Sequence, residues 1–423
     1  NITHIPRRVW QRCIVLNLLY LSTALPTTPK GPLPVLKDQP AEVLFKADNY
    51  STVLLECTTE NKEKDVKYSW YKDDALFDWE AAGHIAQRPG EGSIMFFNPK
   101  PSDEGIYRCL VETPYGTAST RPISLKRTFL NAPTKIEAKE HSPVFGKPYK
   151  LECPIPESYP KPTISWKTQL RSDPSITEEF LSRRLTLSPD GTLWFSNVTE
   201  ADVSPSFKYI CIAKSPASSE DVILAEHFLK TLVHDEKAND GELVPQYLSN
   251  DMMAKAGDIT MIYCIYGGTP LGFPDWSKEG KNVDGKPGDR ITSHNRTSGK
   301  RLLIKDTRIE DQGTYTCEVF NGVGKKKTHS MKLTVVSAPK FVEKLEKQLD
   351  VKATHDIEIP CKVAGLPEPK VIWTYNGTPI VSLDYKNGVL PIRKVKKDYS
   401  GYYGCRAENE HGVIYAETLV NVV

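Results

Sequence analysis

The stretch "LLIKDTRIEDQGTYTC" (residues 302–317) decides how this chain is read. Leu302 and Ile304 alternate with polar or outward positions, and Tyr315, Cys317 and the following Val319 alternate again after a polar corner at Asp311. An apolar period of two means extended strands with one face buried. The offsets recur elsewhere. Ile94 and Phe96 precede Asp103 by the same nine and seven residues, as Leu193 and Phe195 precede Asp202. A tyrosine stands two residues before a cysteine four times, at Tyr107, Tyr209, Tyr315 and Tyr403.

Working outward from those tyrosines, each following cysteine has an earlier partner. Cys57 and Cys109, Cys153 and Cys211, Cys264 and Cys317, and Cys361 and Cys405 are separated by 52, 58, 53 and 44 residues. Each first member is followed 12 or 13 residues later by Trp70, Trp166, Trp276 or Trp373. Alternation around both members, as in Val53, Leu55, Cys57 and Tyr107, Cys109, Val111, points each pair into one interior, where it bridges two sheets. The tryptophan then packs on the bridge and the tyrosine hydroxyl returns to backbone at a corner, the pattern expected of an immunoglobulin sandwich. On the chain-entropy model a loop of this length contributes about 4 kcal/mol when closed, and such bonds require an oxidising compartment.

The repeat divides the 423 residues into an all-β chain of four tandem immunoglobulin-like domains of I-set type, expected at 33–127, 128–231, 240–336 and 337–423. The joins "KRTFLNAP" and "VVSAPKF" are short, whereas "LVHDEKANDGELVP" around a linker at 232–239 is longer and rich in turn formers, as a fold-back into a horseshoe requires. Residues 1–32 read as a leader: Arg7, Arg8 and Arg12 precede the short apolar run "CIVLNLLYLSTAL". Two departures mark the repeat. "DVSPSFKYIC" in the second domain is three residues longer than "DEGIYRC" in the first, and the fourth domain has Tyr399 where aspartate is expected, which predicts a rearranged corner. Asparagine and glycine in "NGVG" and "AENEHG" are expected to supply left-handed positions in the last hairpins.

Seats for catalysis are not evident. No HExxH, GxSxG or CxxC motif occurs, the nine histidines show no metal spacing, and no cofactor or metal is expected. "GKNVDGKP" (280–287) lacks the hydroxyl residue of a phosphate loop and falls between predicted strands. A net charge of +2 gives no drive toward nucleic acid. The charge is local: between Lys281 and Arg301 stand six Lys or Arg against two acids. There "SHNRTSGKRL" gathers His294, Arg296, Lys300 and Arg301 beside the hydroxyls of Thr297 and Ser298, a set suited to charge-assisted hydrogen bonds with phosphate oxygens. Its register makes it an exposed turn ahead of the strand at Leu302. The same turn holds a glycan acceptor at Asn295, and further acceptors stand at Asn1, in the leader, and at Asn49, Asn197 and Asn376; Asn376 reads as an exposed turn and Asn197 as the residue after a strand, and both are candidates for a glycan.

Segments outside the cysteine framework, "PVLKDQPAEVLF", "DVKYSW", "YPKPTISW", "NDGELVPQYLSNDMMAKAGD", "RITSHNRTSGKRL" and "GYYGC", resemble the insect hemolins over roughly residues 33–423. The resemblance implies a secreted, infection-induced hemolymph protein that binds bacterial lipopolysaccharide and lipoteichoic acid, attaches to hemocytes and associates with itself. It also implies kinship with neural cell-adhesion molecules and a horseshoe of four domains. The alternative reading is the ectodomain of a neural-type adhesion molecule or receptor; the chain's end in a finished strand, "AETLVNVV", favours a secreted protein.

Overall fold

The computed structural model describes residues 34–423 except 38, 49, 61–64, 115, 181, 236–240, 294–297 and 381–387. Each of the four units is a pair of facing sheets closed by one disulfide: Cys57–Cys109, Cys153–Cys211, Cys264–Cys317 and Cys361–Cys405, with Cα separations of 5.9 to 6.5 Å. In each unit an early strand lies parallel to the last one. Glu42–Phe45 pairs with Ile123–Arg127, Lys139–His141 with Val222–Leu229, Met252–Lys255 with Lys327–Phe341, and Gln348–Val351 with Gly412–Val422. The remaining ladders are antiparallel. In the third unit Gly313–Phe320 lies between Lys327–Phe341 and Phe273–Lys278, facing a sheet of Val244–Leu248, Thr260–Gly267, Arg301–Ile304 and Ile291–Thr292.

The alternation seen in the sequence becomes four separate cores, each built around a disulfide and its tryptophan. The indole N–H of every one of these tryptophans donates to a glycine carbonyl: Trp70 to Gly92, Trp166 to Gly191, Trp276 to Gly299 and Trp373 to Gly388, at 2.7 to 3.0 Å. A buried indole needs such an acceptor. The corner tyrosines do the same, donating to the carbonyls of Asp103, Asp202, Asp311 and Tyr399. The second unit's three extra residues lengthen the corner while the hydroxyl still finds the aspartate carbonyl. The fourth corner, expected to be rearranged, keeps this bond as well, because the acceptor is backbone and does not depend on the side chain at position 399.

Side chains at the corner do differ. Arg184 and Arg290 make bidentate pairs with Asp202 and Asp311, and His84 meets Asp103 in the first unit. The hairpin expectation is also corrected. In "NGVG" only Gly322 has positive φ, and no residue of "AENEHG" does. The asparagines act through their side chains: Asn321 Nδ2 donates to Gly241 and Pro270 carbonyls, and Asn409 Nδ2 to Ser337 and Pro367 carbonyls, tying each hairpin both to the chain entering its domain and to a loop within it.

The short joins hold neighbours end to end. Phe129–Leu130 pairs with Ser158–Tyr159, and the Tyr159 hydroxyl reaches back to the Glu42 carboxylate of the first unit. Lys327–Phe341 runs without a break from the third unit into the fourth, where it pairs with Val363–Leu366. The chain reverses between the second and third units. The strand Gly116–Ser119 of the first unit consequently lies near Gly401–Asn409 of the fourth, and the Arg108 charge reaches Tyr415, closing the horseshoe.

Candidate functional site: the contact of the second and third domains

The basic turn sits where the second and third domains meet. His294, Asn295, Arg296 and Thr297 lie outside the described residues. Ser298 and Gly299 form its left-handed end, with φ of 52° and 86°, and Gly299 is the residue whose carbonyl receives the Trp276 indole. The turn is therefore anchored in the core of its own domain.

Lys300 is not an exposed cation as the register suggested. It is 1% exposed, and its Nζ donates to the Arg183 carbonyl and to Ser196 Oγ of the second domain, each at 2.6 Å. Burial lowers its pKa to about 8, with the Arg184 charge adding to the effect. The strand Arg301–Ile304 begins one residue later, and the apposed second domain covers the position that would otherwise face water. Arg301, half buried, opens that strand opposite Tyr263. Of the other cations in this basic stretch, Arg290 is committed to Asp311 at 2.6 and 2.7 Å.

Around the turn the two domains leave an open cleft of about 530 Å³, lined by Arg183, Pro274, Asp284, Pro287, Ser293, Ser298 and Gly299. Ser293 is held by Asp284, through its amide at 2.9 Å and its hydroxyl at 2.6 Å. Among the sequence candidates that lie within the described residues, Ser298 alone lines this cleft. Arg183, exposed on the second domain, was missed; nothing local in "SRR" distinguishes it from a solvated arginine, and only the fold-back brings it to the turn. Asp284 places a negative charge in the same cleft, opposing an anion there.

The contact continues beyond the cleft. Gln246 Nε2 donates to the Phe195 carbonyl at 2.8 Å, and Gly268 N to the Ser196 carbonyl at 2.7 Å. Asn197, a candidate acceptor after a strand, is only 8% exposed and faces the third domain. Asn376 is exposed on its turn, and Asn49 lies outside the described residues. Among the described residues no group of three His, Cys, Asp or Glu is placed to hold a metal, and no helix is long and apolar enough to cross a membrane.

Family models for immunoglobulin domains match residues 50–122 and 338–409, and the immunoglobulin I-set model matches 245–335. Hemolin of Manduca sexta is 54% identical over 396 residues, covering 93% of this chain and 95% of that protein. Neuroglian of Drosophila melanogaster is 36% identical over 401 residues, 90% of this chain and 30% of that protein. The crystal structure of an insect immune protein, hemolin, superposes with a TM-score of 0.84 at 51% identity, covering 92% of this chain and 100% of that one. Such likeness along almost the whole of both chains, over the same folded-back course of four sandwiches, means that this chain belongs to the hemolin family of immunoglobulin-superfamily proteins, adhesion-type molecules rather than enzymes.

Proposed function

We propose that the chain is a secreted recognition and adhesion protein of hemolymph that binds bacterial lipopolysaccharide and lipoteichoic acid, attaches to hemocytes and associates with its own kind. The observation that carries this reading is the chain-long similarity to a protein described as an insect immune protein, whose arrangement is described as having implications for homophilic adhesion. The cleft beside Ser298 supports it, since an exposed arginine and a hydroxyl converge there from two domains. The phosphate-binding set is revised accordingly: His294, Arg296, Thr297, Ser298 and Arg301 remain, Arg183 is added, and Lys300 is withdrawn because its ammonium serves the domain contact.

The test is direct binding of the purified chain to lipopolysaccharide, to the same lipopolysaccharide stripped of phosphate, and to lipoteichoic acid. Binding that falls sharply on dephosphorylation supports the phosphate grip. Failure to bind either polymer removes the microbial reading. The second reading, part of a neural-type adhesion ectodomain, rests on the similarity to neuroglian over 90% of this chain. Sequencing the transcript beyond the codon for Val423 separates the two.

A further inference from the structure

Asn197-Val198-Thr199 is an N-glycan acceptor by sequence, yet the atom that would carry the sugar is engaged across a domain boundary. Asn197 Nδ2 has two hydrogens. The nitrogen donates to Thr269 Oγ1 at 3.1 Å and to the Gly268 carbonyl at 3.4 Å, both in the third domain. The Thr269 hydroxyl gives its own hydrogen to the Gly146 carbonyl at 2.6 Å, so toward Asn197 it can only accept. Both acceptors of the amide nitrogen thus lie within the contact.

The two domains are closely apposed on either side of this residue. Val198 is fully buried, and the Ser196 carbonyl accepts the Gly268 amide. A single methyl placed on Gly267 would meet the Ser196 carbonyl at 2.6 Å and Pro148 Cβ at 2.7 Å.

We infer that glycosylation of Asn197 and closure of the second domain on the third exclude each other, so that this acceptor selects between a folded-back and an opened form of the chain. The chemistry is the ordinary transfer from a lipid-pyrophosphate-linked oligosaccharide. The amide nitrogen bonds to the anomeric carbon and gives up one proton, the sugar–phosphate C–O bond breaks, and the lipid pyrophosphate leaves with the electron pair. The single hydrogen left on Nδ2 can keep at most one of the two bonds to the third domain. The sugar occupies the direction of the other. A chain so modified loses the contact that holds Lys300 and the cleft in place, and with it the approach of the first domain to the fourth.

The test uses the full chain secreted from a glycosylating insect cell. Compact and elongated species are separated by gel filtration, checked by solution scattering and mapped by glycopeptide mass spectrometry, with the exposed Asn376 as reference acceptor. Glycan on Asn197 is expected only in elongated molecules, and Thr199→Ala, which removes the acceptor but keeps the Asn197 amide, is expected to give compact molecules alone. A second arm does not depend on cellular occupancy. The thiol of Asn197→Cys should react with a maleimide-linked N-acetylglucosamine roughly tenfold or more slowly than that of Asn376→Cys, because reaction requires opening, and the product should elongate. Glycan on Asn197 in the compact species, equal thiol reactivity, or an adduct that stays compact would each overturn the inference.

Discussion

Lys300 Nζ lies 2.6 Å from Ser196 Oγ, joining residues 104 apart in sequence across the second and third domains. An ammonium buried in this way carries a cost unless its hydrogens are accepted, and here a carbonyl and a hydroxyl accept two of them. Lys300→Met is expected to remove both bonds and leave Ser196 and the Arg183 carbonyl unpaired, weakening the contact by about 1–3 kcal/mol. Solution scattering should show a larger radius of gyration, with each domain still folded. The pH response has a definite sign. A lysine whose folded pKa is about 8 rather than 10.5 binds fewer protons in the closed state, so closure strengthens as pH rises from 8 to 10.5. The neutral amine still has two hydrogens for its two acceptors. Lys300→Met should abolish this rise.

In the second domain a chain of hydrogen bonds predicts acid sensitivity. His227 is 2% exposed, and its Nε2 must carry the hydrogen given to the Glu152 carbonyl at 2.9 Å. Its Nδ1 therefore accepts from His141 Nε2 at 2.8 Å, and His141 Nδ1 accepts from the Tyr149 hydroxyl at 2.9 Å. The neutral chain is complete and offers no site for a further proton on His227. Burial pushes the His227 pKa down to about 4; the Glu152 carbonyl bond opposes this, while His141 and Lys139 reinforce it. Because the unfolded state binds more protons between pH 4 and 6.5, stability is present above that window and falls as pH drops through it, by up to about 3 kcal/mol. Denaturant melts of the second domain's signal across this range check the slope, which His227→Gln should flatten.

At the third corner, Asp311 Oδ2 accepts from Arg290 Nη1 at 2.6 Å and from the Arg308 amide at 2.8 Å. Asp311→Ala removes both and leaves Arg290, 27% exposed, with only the Lys305 and Asp306 carbonyls, so the third domain should lose about 2 kcal/mol, the scale of hydrogen bonds to a charged group. The corresponding aspartate of the fourth domain is replaced by Tyr399, whose carbonyl accepts from Tyr403 while the Tyr375 hydroxyl donates to the Asp398 and Ser400 carbonyls on either side. Tyr403→Phe should therefore cost only about 1 kcal/mol, the value of one buried hydrogen bond, read from urea midpoints.

For the cleft, Arg183→Ala and Arg296→Ala together are expected to leave the melting temperature within a degree or two while weakening binding to phosphorylated lipopolysaccharide. The loss should be largest at low salt, where charge attraction is least screened. Affinity unchanged at low ionic strength would exclude both arginines from the grip. Lys300 is kept in this variant so that a change in shape is not mistaken for a lost contact.

Within each sandwich, the sequence alone determined the structure. Cys264, Trp276, Tyr315 and Cys317 lie on strands whose inward face is set by a period of two, and that period is local chemistry, readable over five residues. The Tyr399 departure changed the side chains at the fourth corner, where the Tyr375 hydroxyl now donates to the Asp398 and Ser400 carbonyls, but not the Tyr403 bond, because its acceptor is backbone. The fates of Lys300 and Asn197 were decided only in tertiary structure. Each is a polar residue near the end of a strand, a place that nearly always faces water, and each is buried by a surface 71 or more residues away in sequence. Arg183 joined the cleft for the same reason. The contact between two domains depends on where the intervening chain reverses, and no periodicity in either domain encodes which polar residues that reversal will cover.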